Sequence, residues 1–424
     1  MNHSAIISSS TFNGGNMNIR LLIAALVLIG GLYQIVLSIV SCRSAKNPTP
    51  DNLADVYDAE TYTRWKKYSA DHSKLEILSA VVGCSVNLLL LLTNVYAAFA
   101  SLFPAGAFMQ LFSVVILETV ISTAVGAVFS YVRTMKIEEK YGFNRSTMKT
   151  FVIDKIRGFI IEFILSLGLI SLLWAIHTAM GNWIILLFTV VIFIITLAIS
   201  FLYPILSRVG NTFTPLEDGD LKDRLMELLT KHGYQVKAIE VMDASRRTSK
   251  LNAYFTGFGK LKTIVLYDNL VNSMTTDEIC AVFAHELGHG INKDVLKGQI
   301  MNFGNLLIMS LLVWIAVREP MLHTEFGFNG VNYGFAYILL SIGLGVVQPF
   351  TALFMNLRSR RAEYRADKQA VIEGYGPALT SALKKLAREN FAHLAPSKIN
   401  VALEYSHPPL SARIEAIEKE LSAK

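Results

Sequence analysis

The 424-residue sequence is poor in charged residues and in cysteine. Asp, Glu, Lys and Arg make up 17% of the chain, against roughly 25% in an ordinary soluble protein. The three cysteines, Cys42, Cys84 and Cys280, are too few and too scattered for a disulfide framework or a thiolate zinc site. The net charge of +6 comes with no arginine-rich or aromatic-interleaved patch, so we expect no nucleic-acid partner.

Long apolar stretches take the place of the missing charge. Hydrophobic residues form 52% of the sequence, and the mean hydropathy is +0.42. A helix needs about 20 residues to cross the hydrocarbon layer of a membrane. Seven stretches approach or exceed that length: 19–40, 76–99, 104–132, 158–180, 183–205, 300–317 and 333–356. The sequence therefore predicts a mainly α-helical, polytopic membrane protein with seven transmembrane helices that contact lipid.

The segments between these stretches differ in their content of basic residues. Nearly all Lys and Arg residues lie in four segments: 41–75, 133–157, 206–299 and 357–424. Basic loops tend to stay on the cytosolic side of a membrane. We therefore expect the four basic segments and the C-terminus in the cytosol and the N-terminus outside. The polar residues 1–18 are expected to be disordered.

A metal-binding motif lies in the third basic segment. His285-Glu286-Leu287-Gly288-His289 is an HExxH sequence. Histidines four residues apart share one face of a helix, so their imidazole rings can bind one zinc ion. Glu286 can take a proton from a water molecule that attacks a peptide carbonyl. A capping box in the preceding residues predicts the start of this helix, through Thr275 and Glu278.

A catalytic zinc site of this kind takes a third protein ligand, commonly a carboxylate from another helix. Glu363 is the best candidate, because it follows the seventh span on a segment without helix breakers until Gly374. Two spans separate His289 from Glu363, and two crossings return the chain to the same side of the membrane. Asp367, one helical turn further, is suited to hold the free ring nitrogen of a ligand histidine. The alternative interpretation is a solvated helix face with paired charges.

Two β-prone runs precede the motif and predict a hairpin. They occupy 251–255 and 263–267 and are joined by a turn at 256–262. An exposed edge of this hairpin can pair with an extended peptide. Asn252, Ala253 and Tyr254 are then the substrate-binding candidates, with Ala253 on the opposite face from the other two. Packing of the hairpin within a soluble domain explains the same pattern equally well.

The sequence resembles the type I CAAX prenyl endopeptidases, a family of integral-membrane zinc metalloproteases with seven transmembrane helices. Six segments carry the resemblance, in order along the chain: 138–144, 213–219, 252–255, 285–289, 363–367 and 406–409. The resemblance implies cleavage near a prenylated cysteine at a protein C-terminus, with release of the last three residues.

The same resemblance implies roles for individual residues. Glu286 is the general base, and Asn252 and His407 lie near the substrate or the developing oxyanion. One Zn²⁺ ion is bound by three ligands: His285, His289 and Glu363. The expected architecture is thus a membrane part with transmembrane helices 1–5 in 19–205 and helices 6–7 in 300–356. A zincin-like catalytic domain with a small β element is built from 206–299, which carries the hairpin and the HExxH helix, and from 357–424, which carries the third-ligand helix and the C-terminal helix.

Two residues depart from the prenyl endopeptidase pattern. Asp294 follows the motif as it does in heat-shock-type membrane metalloproteases of the wider clan, and Gly290 stands where many prenyl endopeptidases have a bulky residue. A second hypothesis is therefore a quality-control protease of membrane proteins without prenyl specificity. A third hypothesis is a non-catalytic membrane scaffold, although the intact Glu286 argues against it.

Overall fold

The computed structural model describes residues 18–206, 208, 211–256 and 261–423, and most of them are helical. The predicted disorder of residues 1–18 concerns a segment that lies, except for Asn18, outside the described residues. The helices, in chain order, are α1 (Ile19–Ser44), α2 (Ala59–Leu92), α3 (Val95–Ala100), α4 (Ala107–Tyr131), α5 (Met148–Met180), α6 (Ile184–Leu206), α7 (Asp220–Lys231), α8 (Asp268–Ser273), α9 (Thr276–Ile291), α10 (Asp294–Arg318), α11 (Met321–Thr324), α12 (Tyr333–Ile372), α13 (Gly376–Glu389), α14 (Lys398–Glu404) and α15 (Leu410–Ser422).

Six helices in the described part of the chain are long and apolar enough to cross a membrane. They are α1, α2, α4 with its π-helical extension Val132–Glu138, α5, α10 and α12. The fifth expected span, 183–205, corresponds to α6, whose apolar stretch Leu186–Leu202 is shorter. The protein is therefore a multi-pass membrane protein. By helix length and composition, the described residues contain six candidate spans, so the predicted count of seven is not confirmed.

The second predicted span, 76–99, is wrong in its bounds. The helix α2 begins at Ala59, inside the segment expected as the loop 41–75, and ends at Leu92. Asn94 then adopts a left-handed backbone with φ of 58°, a conformation that asparagine tolerates better than most residues. Its side-chain oxygen accepts a hydrogen bond from Nη2 of Arg20 at 2.7 Å, so a polar pair stabilises the break between α2 and α3.

The polar residues within the membrane helices contact other parts of the protein. Glu118 on α4 accepts a hydrogen bond from the hydroxyl of Tyr96 on α3. Nδ1 of His177 on α5 lies 2.9 Å from the hydroxyl of Tyr333 on α12. Such groups are costly in contact with lipid, and a partner within the protein offsets that cost for these two residues.

The β element is a four-stranded sheet rather than the isolated hairpin that the sequence predicts. Its strands are β1 (Phe213–Pro215), β2 (Gln235–Met242), β3 (Ala253–Thr256) and β4 (Leu261–Tyr267), in the order β1-β2-β4-β3. β3 and β4 form the predicted antiparallel pair, with Ala253 opposite Leu266, whereas β2 and β4 are parallel. The expected turn at 256–262 includes residues 257–260, which lie outside the described residues. The strand β3 forms one edge of the sheet.

The apolar face of α9 packs on this sheet. The predicted capping box at its start is confirmed, because Thr275 and Glu278 exchange hydrogen bonds between side chain and backbone. Ile279, Phe283 and Leu287 then recur at helical spacing and are buried in one apolar core with residues of β2, β4 and α7. The two histidines of the HExxH sequence lie outside this apolar core.

Candidate metal centre

Side-chain atoms of His285, His289 and Glu363 converge between α9 and α12. Nε2 of His289 lies 3.2 Å from Oε1 of Glu363, and Nε2 of His285 lies 3.5 Å from Oε2. One ligand atom from each residue lies within 4.8 Å of the others. Two ligands bound at ordinary distances to one tetrahedral zinc ion are about 3.3 Å apart, so the spacing suits that ion.

The carboxylate of Glu363 also carries an unsatisfied atom. Its Oε2 is buried and lies 3.4 Å from Nη1 of Arg413, but it accepts no hydrogen bond from the described residues. A buried carboxylate oxygen without a partner is costly, and a bound cation removes that cost. Two imidazole nitrogens and one carboxylate form the ligand set of a catalytic zinc site with one open position. The residues therefore fit zinc.

Glu363 and Asp367 are buried, with 4% and 1% of their surface exposed. The alternative interpretation of this segment as a solvated helix face is therefore wrong for these two residues. Glu363 reaches the histidines because α12 continues without interruption from the apolar span to Ile372.

Gly288 permits the close approach of α9 and α12. A Cβ atom at this position would lie 2.8 Å from the Cα atom of Ala366 and 3.0 Å from Cβ of Gln369. Contacts this short are not tolerated in a packed interior, so only glycine allows the two helices this separation. Gly288 in the middle of the HExxH motif is thus a packing requirement.

Asp367 and Arg413 hold the first histidine of the motif. Nδ1 of His285 lies 2.8 Å from Oδ1 of Asp367. Arg413, from α15, donates to both oxygens of Asp367, through Nε at 2.9 Å and Nη2 at 2.6 Å. Burial lowers the pKa of His285, but its contacts with the carboxylates of Asp367 and Glu363 outweigh it and raise the pKa to about 9. A metal ion must therefore displace a proton from the metal-free site.

Arg413 is a residue that the sequence analysis missed. The apolar pattern of the C-terminal helix identifies Ile414 and Ile417, which are buried at 0% and 1% exposure. Arg413 is adjacent to Ile414 and is itself buried at 8% exposure. The sequence did contain a signal: Arg413 is a charged residue next to the buried face of a helix. Because arginines are rarely buried without a partner, this position indicates an acidic partner inside the protein.

Glu286 lies on the side of α9 that faces the edge strand of the sheet. It is partly buried and lines a small apolar cavity together with Ala253 and Tyr254 of β3. Val282 and Phe283, from the preceding turn of α9, complete this side of the cavity. The structure thus brings the candidate base and two of the three substrate-binding candidates to one place.

The third such candidate, Asn252, is exposed and directly precedes β3. Its Oδ1 accepts a hydrogen bond from the backbone N–H of Ala253 at 2.9 Å. The backbone carbonyl of Asn252 accepts a hydrogen bond from Tyr267 at 3.2 Å, which extends the β3–β4 pairing by one step.

His407 lies on the loop between α14 and α15, at the open side of the metal-ligand cluster. Its Nε2 is 3.5 Å from Oε1 of Glu363, and 63% of its side chain is exposed. The loop is held by Arg360 of α12, whose Nη1 donates to the carbonyls of Val401 at 2.6 Å and Tyr405 at 2.8 Å. Arg360 therefore positions the loop that carries His407.

Two family models match this chain. A model described as CAAX prenyl protease N-terminal, five membrane helices, covers residues 38–208, and a model of peptidase family M48 covers residues 215–421. A CAAX prenyl protease 1 homolog of Oryza sativa subsp. japonica is 30% identical over 408 residues, which are 93% of this chain and 96% of the relative. The chain belongs to peptidase family M48.

Other members are similar to this M48 protein over almost the whole chain. CAAX prenyl protease 1 of Saccharomyces cerevisiae is 30% identical over 89% of this chain and 90% of its own. The crystal structure of S. mikatae Ste24p has a TM-score of 0.89 and 27% identity, covering 95% of this chain and 100% of the other. The family resemblance predicted from the six sequence segments is confirmed, and the protein is a membrane metalloprotease.

Proposed function

We propose that the protein is a zinc endopeptidase that cleaves C-terminal CAAX-type peptides carrying a prenyl group. The observation that carries this proposal is the convergence of ligand atoms from His285, His289 and Glu363 within 4.8 Å of one another, with both histidines on the same helix as Glu286. The similarity to proteins named CAAX prenyl protease 1 along nearly their full length supports the substrate class.

In this proposal His285, His289 and Glu363 bind one zinc ion, which supplies Lewis acidity at the scissile carbonyl. Glu286 accepts a proton from the attacking water as the water oxygen bonds to the carbonyl carbon. The proton then passes from Glu286 to the amide nitrogen as the carbon–nitrogen bond breaks. Asp367, fixed by Arg413, accepts a hydrogen bond from Nδ1–H of His285 and so directs Nε2 toward the metal position.

The edge strand β3 is the proposed docking place for the peptide. An extended substrate can add to this edge through backbone hydrogen bonds, next to Ala253 and Tyr254. The scissile bond then lies beside Glu286, which shares a cavity with both residues. Asn252 contacts the same peptide, and His407 donates a hydrogen bond to the oxyanion that forms in the reaction.

The membrane arrangement in this proposal has seven spans, with α6 as the fifth. The N-terminus is outside, and the catalytic domain formed by 206–299 and 357–424 lies on the cytosolic side, with the C-terminus. The concentration of Lys and Arg in these segments supports this orientation. An isoprenoid chain on the substrate would then enter the lipid next to the site.

Cleavage of matched farnesylated and unmodified CAAX peptides by the purified protein in detergent tests the proposal. We expect cleavage of the farnesylated peptide only, with release of the last three residues. The activity should be lost in Glu286→Ala and after treatment with a chelator, and it should return when zinc is added.

The two other hypotheses correspond to other outcomes. Equal cleavage of both peptides would support a quality-control protease without prenyl specificity. No cleavage of either peptide by a zinc-loaded protein would support a scaffold.

A further inference from the structure

The chain reverses sharply between α9 and α10. Lys293 adopts a left-handed backbone with φ of 54°, which is uncommon for a residue with a side chain. The side-chain amide of Asn292 donates to the carbonyl of Gly288 at 2.8 Å and secures the end of α9. As a result α9 ends at Ile291, and α10 begins at Asp294.

This turn brings Asp294 beside His289. In an uninterrupted helix two residues five positions apart would be about 140° apart around the axis, so their side chains would not meet. With the turn, Oδ2 of Asp294 lies 3.2 Å from Nδ1 of His289. The left-handed residue is therefore the local cause of the contact.

Two arginines of α12 hold Asp294 from its other side. Nη2 of Arg365 donates to Oδ1 of Asp294 at 2.8 Å, and Nη2 of Arg358 donates to its backbone carbonyl at 3.2 Å. The side chain of Asp294 is 10% exposed. Its carboxylate thus has one oxygen on Arg365 and the other on His289.

We infer that Asp294 is the positioning residue for His289, as Asp367 is for His285. This inference rests on the proposed zinc site. When Nδ1–H of His289 donates to Asp294, the lone pair of Nε2 faces Glu363 and the metal position. The negative charge of Asp294 also makes the imidazole a better ligand.

The assignment changes the meaning of Asp294. In the sequence, Asp294 favours a protease without prenyl specificity, because heat-shock-type metalloproteases have an aspartate at the same place. Its contacts instead join a zinc-ligand candidate to α12, and none of the contacts described here involves the β3 edge. Asp294 therefore tunes the metal site, and it carries no information about prenyl specificity.

Zinc affinity of the full-length protein in detergent tests the inference without any peptide. The protein is stripped with a chelator, and the dissociation constant is measured by competition with a zinc indicator. We expect Asp294→Ala to weaken binding about 10- to 100-fold. Asp294→Asn keeps a hydrogen-bond acceptor without the charge and should weaken it less. Arg365→Met should also weaken it less than Asp294→Ala, because it acts through Asp294.

Asp277→Asn is the matched control. Asp277 lies at the start of the same helix and pairs with Arg224, and its side chain is 65% exposed. This variant should bind zinc as the wild type does. Cobalt substitution gives a second readout, because the visible bands of Co²⁺ respond to the orientation of its ligands. The bands should shift in Asp294→Ala and Asp294→Asn and stay unchanged in Asp277→Asn.

Two outcomes would overturn the inference. Wild-type zinc affinity together with an unchanged cobalt spectrum in Asp294→Asn and Arg365→Met would remove it while leaving the proposed function intact. A wild-type protein that binds no zinc would remove the metal site and this inference together. Thermal unfolding of the metal-free variants separates a loss of affinity from a loss of fold, and we expect the Asn variant to unfold at the wild-type temperature.

Discussion

The catalytic cluster and the membrane part each contain a glutamate that is withdrawn from solvent, and their surroundings differ. Glu363 faces three histidines and Arg413, and one of its oxygens accepts no hydrogen bond from the described residues. Glu118 is partly buried on an apolar helix and accepts a hydrogen bond from Tyr96. The first carboxylate fits a bound cation, whereas the second already has a hydrogen-bond partner within the protein. The proposed metal site is therefore marked by a carboxylate that has several donors around it and one unsatisfied oxygen.

Glu363→Gln removes the ligand charge and should have the largest effect. We expect the protein to lose its zinc and its peptidase activity to fall on the order of 10⁴-fold, because the metal supplies several kcal/mol to the transition state. Elemental analysis of the purified protein and a peptide-cleavage assay measure both effects. If the variant retained zinc and activity, Glu363 would be no more important than Glu118, and the contrast between the two glutamates would be wrong.

Glu286→Gln separates chemistry from metal binding within the cluster. The substitution preserves the shape of the side chain but removes the proton acceptor, so kcat should fall on the order of 10³-fold. Zinc content should stay at the wild-type level, since Glu286 is not among the proposed ligands. Loss of zinc from this variant would show that Glu286 holds the metal instead of acting as the base.

Asp367→Asn probes the support behind the ligands. We expect zinc affinity to fall about 10- to 100-fold, because His285 loses a charged acceptor and Arg413 loses its partner. Competition with a zinc indicator measures this change. An affinity equal to that of the wild type would mean that burial alone fixes the orientation of His285.

Gly288→Ala tests the packing that brings α12 to α9. The added methyl group would meet Ala366, so the free energy of unfolding should fall by about 1–3 kcal/mol. Thermal unfolding in detergent measures it. Gly304→Ala on α10 is the matched control, since a Cβ there meets no atom within 4 Å. Equal unfolding temperatures in the two variants would refute the close-approach argument.

Glu118→Gln should have the smallest effect. The amide oxygen can still accept a hydrogen bond from Tyr96, so peptidase activity and zinc content should remain at the wild-type level. The free energy of unfolding should change by at most about 1 kcal/mol. A marked loss of activity would show that this membrane carboxylate takes part in the reaction.

The site residues that could be identified from the sequence belong to short motifs, in which a few neighbouring positions share one helix face. His285 and His289 share a helix face by their spacing, and Glu363 and Asp367 do so one turn apart. Two predicted membrane crossings separate the two pairs, and an even number of crossings returns the chain to the same side of the membrane. Arg413 and the contact of Asp294 with His289 escaped this reasoning, because they depend on tertiary packing and on a left-handed turn.

The fold was predictable to a similar extent. Long apolar stretches identify the membrane helices, and the β3–β4 hairpin follows from two neighbouring β-prone runs. The parallel pairing of β2 with β4 joins distant segments, so no local pattern reports it. The break at Asn94 interrupts an apolar run that the composition treats as one span.

The helix α12 sets the distance between the apolar span and the metal-ligand cluster. It passes from the apolar span to the metal-ligand cluster as one helix of 40 residues, with Pro349 inside it. Glu363 lies seven residues beyond the predicted end of the span at 356, which corresponds to about 10 Å along the axis. In the proposed membrane arrangement, the reaction then takes place a short distance above the lipid. Peptide bonds next to a membrane-anchored residue would come within that reach, and those in the interior of a folded soluble domain would not.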